Sequence, residues 1–328
     1  MNVYLSRRVL LATFAAVASG SVARRADAQA TTTWIIVPYS PGGPADMTAR
    51  MIAPQLQKAL GGAVLVDNQA GAGGSIGVQR VLAAPPTGSS MILGTITDSV
   101  LTPLVLKAAK YQGENLRMVG LLSQNPLVLI ARPTLPVNSA KELVAHAKNP
   151  ANKELFYGST GRGSIFHLVS EDLAQQANIK LTHVPYKGLA PMVQDLMGGQ
   201  VDLAFYPVAG NVFDLIHSGK VKALGITGNA RAPQLPGVPT LNEAGVTKGF
   251  DYTMWPALFV PAGVPIATAT RINDIVRALV VTPEFLKFCE ETGTTPAKPM
   301  SLAETEFFYK SEMVTFRKAA AAIKLEQE

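Results

Sequence analysis

The chain has 328 residues, of which 48% are hydrophobic and 16% charged, and its formal net charge is +6. This length suits about two folded domains, and the apolar content excludes a disordered chain. The positive charges do not gather into a basic stripe, which argues against a nucleic-acid partner. The single cysteine, Cys289, excludes an intrachain disulfide and a four-cysteine zinc site, and its apolar neighbours predict a buried structural thiol.

The first thirty residues have the features of an export signal peptide. Arg7 and Arg8 precede an apolar stretch at residues 9–23, and small-x-small cleavage sites follow at residues 26–28 and 28–30. The arginine pair resembles a twin-arginine signal, and an ordinary secretory signal is the alternative. No later stretch approaches about 18 unbroken apolar residues, so we expect a soluble, exported protein.

From Thr31 onward, short apolar strands alternate with helical periods, which predicts an α/β architecture. The first predicted strand, residues 34–37, is followed by a glycine turn and by a helix at about residues 45–60 that ends at Gly61-Gly62. Further strands are predicted at residues 64–66, 91–94, 155–157, 201–205 and 221–226, and further helices at residues 164–176, 191–197 and 212–217.

Two segments resemble each other and suggest how the domains are connected. Residues 127–136 and 258–265 each contain a strand and then two closely spaced prolines, and a helix follows each. Such a repeat is typical of a chain that crosses twice between two lobes. We therefore predict a discontinuous first lobe, residues 31–126 and 256–328, and a second lobe of residues 127–255.

Signatures of several enzyme classes are missing from the sequence. There is no HExxH and no GxSxG, and Gly219-Lys220 lacks the preceding glycine of a Walker loop. The four histidines, at positions 146, 167, 183 and 217, show no metal-ligand spacing, so we expect surface or structural roles for them. We predict a protein that is not an enzyme and that carries neither a cofactor nor a metal.

A glycine-rich segment keeps one enzymatic alternative open. Residues 71–77 match GxGxxxG, but they follow the second predicted strand, whereas a dinucleotide loop follows the first strand of its unit. The expected acidic partner is also misplaced, since Asp98 comes late and after a loop. An exported, dinucleotide-dependent oxidoreductase therefore remains an alternative function.

Two other glycine-rich turns, at residues 38–46 and 157–164, each join a predicted strand to a predicted helix. Such a turn presents backbone N–H groups at the positive end of a helix, where carboxylates and phosphates bind. Glycine lets a ligand approach the backbone closely. One turn of this kind is common, but one in each predicted lobe suits a ligand held in a cleft between domains.

The segments VPYSPGGPADMTARMIAPQL, VDNQAGAGGSIG, YGSTGRGSIFHLVSEDL, HVPYKG, GQVDLAFYPV and LPGVPTLNEAG resemble the Bug family, in the same order and over essentially the whole chain after the signal. Members of this family are the periplasmic receptors of tripartite tricarboxylate transporters. The resemblance implies a two-lobed periplasmic-binding-protein fold of type II, each lobe a sheet flanked by helices. It also implies a small carboxylate ligand in the cleft and inner-membrane permease subunits as partners.

The resemblance and the two turns together define the candidate ligand-binding residues. In the family, the turn matching Tyr39–Gly43 binds one carboxylate, and the turn matching Ser159–Ser164 closes on the ligand from the other lobe. Two roles in these turns stay open: Asp46 either pairs with Arg50 or faces a ligand amine, and Arg162 either pairs with a second carboxylate or is solvated.

Three further candidates come from their positions after predicted strands. Thr97 and Asp98 follow the strand that ends at Gly94 and are expected to line the cleft. Tyr206 lies just past the predicted strand at residues 201–205 and either covers the ligand or belongs to the core. The full set is Tyr39, Ser40, Gly42, Gly43, Asp46, Thr97, Asp98, Ser159, Thr160, Arg162, Gly163, Ser164 and Tyr206.

These observations predict a monomeric, periplasmic solute-binding receptor that captures a small carboxylate for a tripartite tricarboxylate transporter. A receptor that serves signalling rather than uptake is a further alternative. The identity of the ligand is not encoded in the two shared turns, because they recognise only the carboxylate.

Overall fold

The computed structural model describes residues 32–323 and residue 325. The predicted export signal, residues 1–30, therefore lies outside the described residues. Within the described part, no helix is both long enough and apolar enough to cross a membrane. Cys289 is buried in a helix, as the sequence predicts.

The first of two sheets has five strands in the order β2-β1-β3-β11-β4. The strands are β1 Thr33–Val37, β2 Val64–Asn68, β3 Ser90–Gly94, β4 Leu116–Leu121 and β11 Ala257–Pro261. Strand β1 runs parallel to β2 and β3, whereas β11 is antiparallel to β3 and β4. Ile35 and Ile36 point to opposite faces and both are buried, because helices cover the two sides of the sheet.

Within the described residues, six α-helices belong to the chain segments that form this first sheet, and a short π-helix, Thr97–Leu101, follows β3. The six α-helices are α1 Pro44–Leu60, α2 Ser75–Ala83, α3 Thr102–Val105, α8 Ile266–Leu279, α9 Pro283–Thr292 and α10 Leu302–Ala322. Helix α1 follows β1 directly, so its first turn lies at the carboxyl end of a sheet strand. Gly61, which the sequence marks as the end of this helix, adopts the left-handed conformation at its C-terminus.

The second sheet has seven strands, with the order β10-β5-β8-β6-β7 along its main path and with β9 and β12 also paired to β5. Its strands are β5 Ser123–Ala131, β6 Leu155–Ser159, β7 Leu181–Pro185, β8 Leu203–Pro207, β9 Lys222–Ile226, β10 Thr253–Met254 and β12 Thr295–Pro296. The helices between them are α4 Ala140–Lys148, α5 Ile165–Ala177, α6 Leu189–Gly198 and α7 Val212–His217.

Strand β5 connects the two halves of the molecule. Its first residues pair with β10 and β12, while residues 127–131 pair with β8 and β9. The chain thus leaves the first sheet after β4, builds most of the second sheet, and returns at β11. We propose on this topology that the lobes divide as the sequence predicts, with residues 127–255 inserted into the first lobe.

Strand β8 begins at Leu203, two residues later than predicted, although Asp202 already bonds to both neighbouring segments. Its backbone N–H donates to the Phe156 carbonyl at 2.8 Å. Its carboxylate accepts from Arg132 Nε at 2.7 Å and from the Phe156 amide at 2.8 Å. Its carbonyl also accepts from the Arg132 amide at 3.0 Å, directly beyond the regular pairing with β5 that starts at Leu203.

One buried apolar cluster extends across both lobes. It contains Ile92 and Leu101 from the first lobe and Ile165, Phe166 and Leu129 from the second. The second-lobe helix α5 thus begins in contact with the first lobe, and this places the two predicted ligand turns on facing elements.

Candidate functional site

The first turn connects β1 to α1 through residues 38–43. Gly42 has a φ of +81° and its N–H donates to Asp46 Oδ2 at 2.9 Å. The N-cap residue of α1 is Gly43, which offers no side chain to accept from the first helical amides, and Pro44 follows it. The positive end of a 17-residue helix is therefore left without a side-chain cap, which is the condition under which an external anion can bind it.

Asp46 stabilises this turn from within the protein. It is 4% exposed, and Arg50 Nε donates to its Oδ2 at 3.1 Å. Arg50 Nη2 also lies 3.0 Å from Oδ1, close enough for an ion pair but not aligned for a hydrogen bond. Burial alone would raise the pKa of Asp46, but the bonds from Arg50 and the Gly42 amide outweigh it and hold this pKa below its ordinary value. The contacts agree with the ion-pair role of Asp46.

Asp98 is the centre of a buried polar network behind the same turn. The Tyr39 hydroxyl donates to its Oδ1, and the Thr95 amide donates to Oδ1 at 2.9 Å. The Thr95 hydroxyl donates to the same oxygen at 3.0 Å. Burial raises the pKa of Asp98 to about 6, although these donors oppose the rise. The carboxylate thus holds Tyr39, the second residue of the first turn.

Two glycines make room for the Asp98 side chain. A Cβ at Gly94 would overlap Asp98 Oδ2, and a Cβ at Gly74 would lie 2.6 Å from Asp98 Cβ. Gly73 similarly packs against Thr102, and Gly77 lies against Pro38. The glycines of the GxGxxxG segment therefore have a packing role, which accounts for them without a dinucleotide.

Thr97 links the first lobe to the second. Its amide donates to Thr95 Oγ1 at 3.2 Å, and its own Oγ1 accepts from the Ile165 amide at 3.1 Å. Ile165 is the first residue of α5. A chain of hydrogen bonds thus leads from Tyr39, through the Asp98 carboxylate, Thr95 and Thr97, to the second-lobe helix.

The second turn, between β6 and α5, uses several of its own amides internally. The Gly161 amide donates to Ser159 Oγ at 3.1 Å, and the Gly163 amide to His167 Nδ1 at 3.3 Å. Ser164 is the N-cap of α5, and its Oγ accepts from the His167 amide at 3.2 Å. The helix start in the second lobe is therefore capped and hydrogen-bonded by protein groups.

Two histidines support this second turn. The rings of His167 and His183 stack with centroids 4.2 Å apart, and the Tyr157 ring lies 5.0 Å from that of His183. His183 Nε2 is 2.7 Å from Ser159 Oγ. Burial, aided by the positive charge of Arg162, lowers the pKa of His167 to about 4. Burial also lowers the pKa of His183 to about 3, aided by the neighbouring His167 and then by Arg162. Both rings are therefore neutral near pH 7.

The remaining predicted residues differ in position. Ser40 and Arg162 are exposed, and Thr160 is half-buried in the second turn. Tyr206 lies within β8, paired with Val128, and not just past the strand as the sequence predicts. Its ring packs in the cluster formed with α6 and α7, and its hydroxyl donates to Asn211 at 2.9 Å. The structure brings together the Tyr39, Thr97–Asp98 and Ser159–Ser164 segments, whereas the Tyr206 ring lies on the other face of its sheet. Direct contact of any of these residues with ligand stays a prediction.

Sequence reasoning missed two contributors to this region, and it gave His167 and His183 surface or structural roles without predicting that their rings stack. Thr95 carries no motif of its own, and Val105, whose side chain lies against Gly163 of the second turn, is in a segment without a clear period. The stacked pair of His167 and His183 comes from α5 and β7, and no spacing rule joins them. The segment HVPYKG, which carries the family resemblance, was the one signal that pointed to His183. Among the described residues, no group of three or more acidic, histidine or cysteine side chains is placed to hold a metal.

Comparisons with known proteins agree with this geometry. The family of tripartite tricarboxylate transporter family receptors matches residues 48–318. A protein of Pseudomonas sp. strain P51, named for the tcbD-tcbE intergenic region, is 34% identical, with 97% of this chain and 95% of that protein covered.

Two solved structures extend the comparison. The periplasmic binding protein BugD is 30% identical, with a TM-score of 0.81 over 90% of this chain and 99% of that one. An R. palustris protein solved with adipate is also 30% identical, with a TM-score of 0.82 over 91% and 99%. These likenesses confirm the predicted two-lobed binding-protein fold.

Proposed function

This chain belongs to the tripartite tricarboxylate transporter receptor family, and we propose from that premise that it is a periplasmic receptor which binds a small carboxylate between its lobes. Family membership confirms the resemblance found in the sequence and the prediction of a solute-binding receptor rather than an enzyme. The proposal further includes delivery of the ligand to inner-membrane permease subunits by a monomeric receptor.

The observation that carries the ligand proposal is the uncapped start of α1. Gly43 leaves the first helical amides of α1 without a side-chain acceptor, while Asp46 and Asp98 are occupied by protein donors. A carboxylate placed there gains hydrogen bonds from backbone amides and a favourable interaction with the helix dipole. The adipate bound by the R. palustris relative is a ligand of this chemical class.

Thermal unfolding of the purified protein against a ligand panel tests the proposal. The panel contains adipate, other mono-, di- and tricarboxylates, and aromatic acids, with NAD and NADP included to test the oxidoreductase alternative. The protein is first refolded from denaturant to remove any copurified ligand. At about 100 times its Kd, a ligand stabilises by roughly 2.7 kcal/mol, which is a shift of several degrees in Tm. A shift with NAD or NADP and none with any carboxylate would overturn the proposal.

The variant Gly43→Asp locates the site. A Cβ at position 43 meets only the Ser40 carbonyl, at 3.7 Å, so the new carboxylate can cap α1 without a clash. We expect unchanged or slightly higher stability and at least about tenfold weaker carboxylate binding, because the side chain competes for the same amides. Pro265→Asp, at the N-cap of α8, is the matched control and should leave the affinity unchanged.

Mixing the refolded protein with detergent-solubilised permease subunits tests the partner part of the proposal. Ligand-dependent association would support uptake. Association with a sensor kinase and none with the permease would support the signalling alternative. Analytical ultracentrifugation, at the protein concentration of the binding experiments, measures the molecular mass and so tests whether the receptor is a monomer.

A further inference from the structure

The start of α5 makes direct contact with the first lobe at two points. The Ile165 amide donates to Thr97 Oγ1 at 3.1 Å, and Gly163 lies against Val105. Thr97, Val105 and Gly163 are all buried. The contact is thus a packed junction between the lobes and not a meeting of mobile surface chains.

The junction depends on the absence of a side chain at position 163. Gly163 has a φ of +74°, and a Cβ there would overlap Val105 Cγ2 and lie 3.5 Å from the Leu101 carbonyl oxygen. Two separate constraints therefore act on this residue. One is the backbone conformation of the second turn, and the other is the close approach of the first lobe.

Thr97 is itself held in place by the first-turn network. Its amide donates to Thr95 Oγ1, and that hydroxyl lies 2.8 Å from the Tyr39 hydroxyl. The position of the first turn is therefore transmitted to the start of α5 through three polar side chains. A shift of either turn would break the bond between Thr97 and Ile165 or separate Gly163 from Val105.

We propose that Thr97, Val105 and Gly163 form an interlobe latch that sets the distance between the two turns when the lobes close. In this role they are positioning residues of the binding site, and Thr97 acts through Ile165 rather than through a ligand. The effect on affinity rests on the function proposed above. The effect on lobe closure does not.

Interlobe distances measured without added ligand test the latch directly. Spin labels are placed on Lys58→Cys and Lys141→Cys, which are exposed positions in the first and second lobes, in a Cys289→Ser background. We expect Gly163→Ala to move the distance distribution to longer values. Because Val105→Ala removes the overlapping methyl groups, the double variant should return toward the parent distribution. The same distribution in Gly163→Ala and its parent would overturn the latch.

A second variant tests whether the effect of Gly163→Ala comes only from backbone strain within the second turn. Val105→Leu enlarges the same junction from the first lobe and leaves the backbone at Gly163 untouched, so it should also lengthen the interlobe distance. Val281→Leu, at an exposed position remote from the junction, is the control. If the distance changes in Gly163→Ala and not in Val105→Leu, turn strain is the cause and the latch is wrong.

Titration calorimetry with adipate supplies the affinity measurement. We expect Gly163→Ala to weaken binding by about tenfold or more, and the double variant to recover to within about threefold of the parent. Thr97→Val should weaken binding by about three- to tenfold through loss of one hydrogen bond, while Thr97→Ser should retain it. An affinity of the double variant equal to that of Gly163→Ala would contradict the latch. If adipate and the rest of the panel fail to bind the parent protein while the distances change as expected, the latch stands and the proposed function falls.

Discussion

The two glycine turns look alike in sequence but differ in what their amides do. The first turn leaves the start of α1 without a side-chain cap, because Gly43 occupies the N-cap position. In the second turn, Ser164 caps α5, and the amides of Gly161 and Gly163 donate to protein acceptors. A glycine-rich strand-to-helix turn therefore shows only that its backbone amides can be approached. Whether a ligand can bind them depends on the neighbouring side chains, which cap the helix start in one turn and not in the other.

The pKa values of the buried titratable groups behind the two turns are shifted in opposite directions. Behind the first turn, burial raises the pKa of Asp98 to about 6. Behind the second, burial lowers the pKa of His167 to about 4 and of His183 to about 3. Each shift favours the neutral form, so both turns rest on uncharged groups in weakly acidic solution. Because one group is an acid and the others are bases, their contributions to stability change with pH in opposite directions.

The largest effect is expected from Gly94→Ala, which places a Cβ on Asp98 Oδ2 in the first-turn network. Because the site is fully enclosed, the clash should lower the free energy of unfolding by about 3 kcal/mol, or roughly 6–12 °C in Tm. Differential scanning calorimetry measures the shift. Gly237→Ala, where a Cβ meets nothing within 4 Å, is the control. Similar Tm values for both variants would show that the network tolerates displacement.

Asp98→Asn should remove the contribution that the first-turn network makes to the pH dependence of the free energy of unfolding. The folded-state pKa of Asp98, about 6, lies above its ordinary value of 3.8, so the folded protein binds more protons between these limits. Its contribution to stability is present below about pH 4 and is lost as the pH rises to about 6, by about 2–3 kcal/mol. Urea unfolding at intervals from pH 4 to pH 7 should show a more positive slope in the variant. Equal slopes in the two proteins would contradict the assignment.

His183→Gln should change the slope of the free energy of unfolding against pH in the opposite direction to Asp98→Asn. The pKa of His183 is about 3 in the folded protein and 6.5 ordinarily, so the unfolded chain binds the proton first as the pH falls. The wild type therefore loses stability from about pH 6.5 downward, by about 1–2 kcal/mol at pH 4 after allowance for solvent screening of a partly exposed ring. Glutamine keeps a polar group near Ser159, and the same urea series should show a smaller acid loss. A loss as large as that of the wild type would mean that His183 is not responsible.

The smallest effect is expected from Arg50→Gln. The Arg50 side chain is 57% exposed and pairs with the buried carboxylate of Asp46 beside the first turn. Removing it should cost about 0.5–1 kcal/mol, less at high salt, because a partly solvated ion pair is weak. Urea unfolding at 0.05 M and 1 M sodium chloride measures the loss of unfolding free energy and its decrease at high salt. Arg277→Gln, whose ion pair with Asp274 lies on exposed helix surface, provides the comparison and should change stability less.

The regular elements near the site were predictable because their signals are local. The strand at residues 34–37, the glycine turn and the helix to Leu60 all occur within a residue or two of their predicted positions. The i,i+4 pairing of Asp46 with Arg50 was also predictable, since one turn of helix brings the two side chains together. The start of strand β8 was misplaced by two residues, because it depends on where pairing with the distant residue Ala131 begins.

By itself, the sequence determined the alternation of strands and helices, the two glycine turns, the absence of common enzyme motifs and the receptor family. These features depend on short spacings and on ordered motifs, so they can be seen in one dimension. Only the tertiary structure decided that Thr97 accepts from the Ile165 amide at the second turn, because Thr97 lies 68 residues earlier in the chain and reaches this turn from the first lobe. It also decided that the Tyr206 ring faces away from the turns and that Gly163 must meet Val105 across the lobes, since both depend on contacts between residues far apart in the chain.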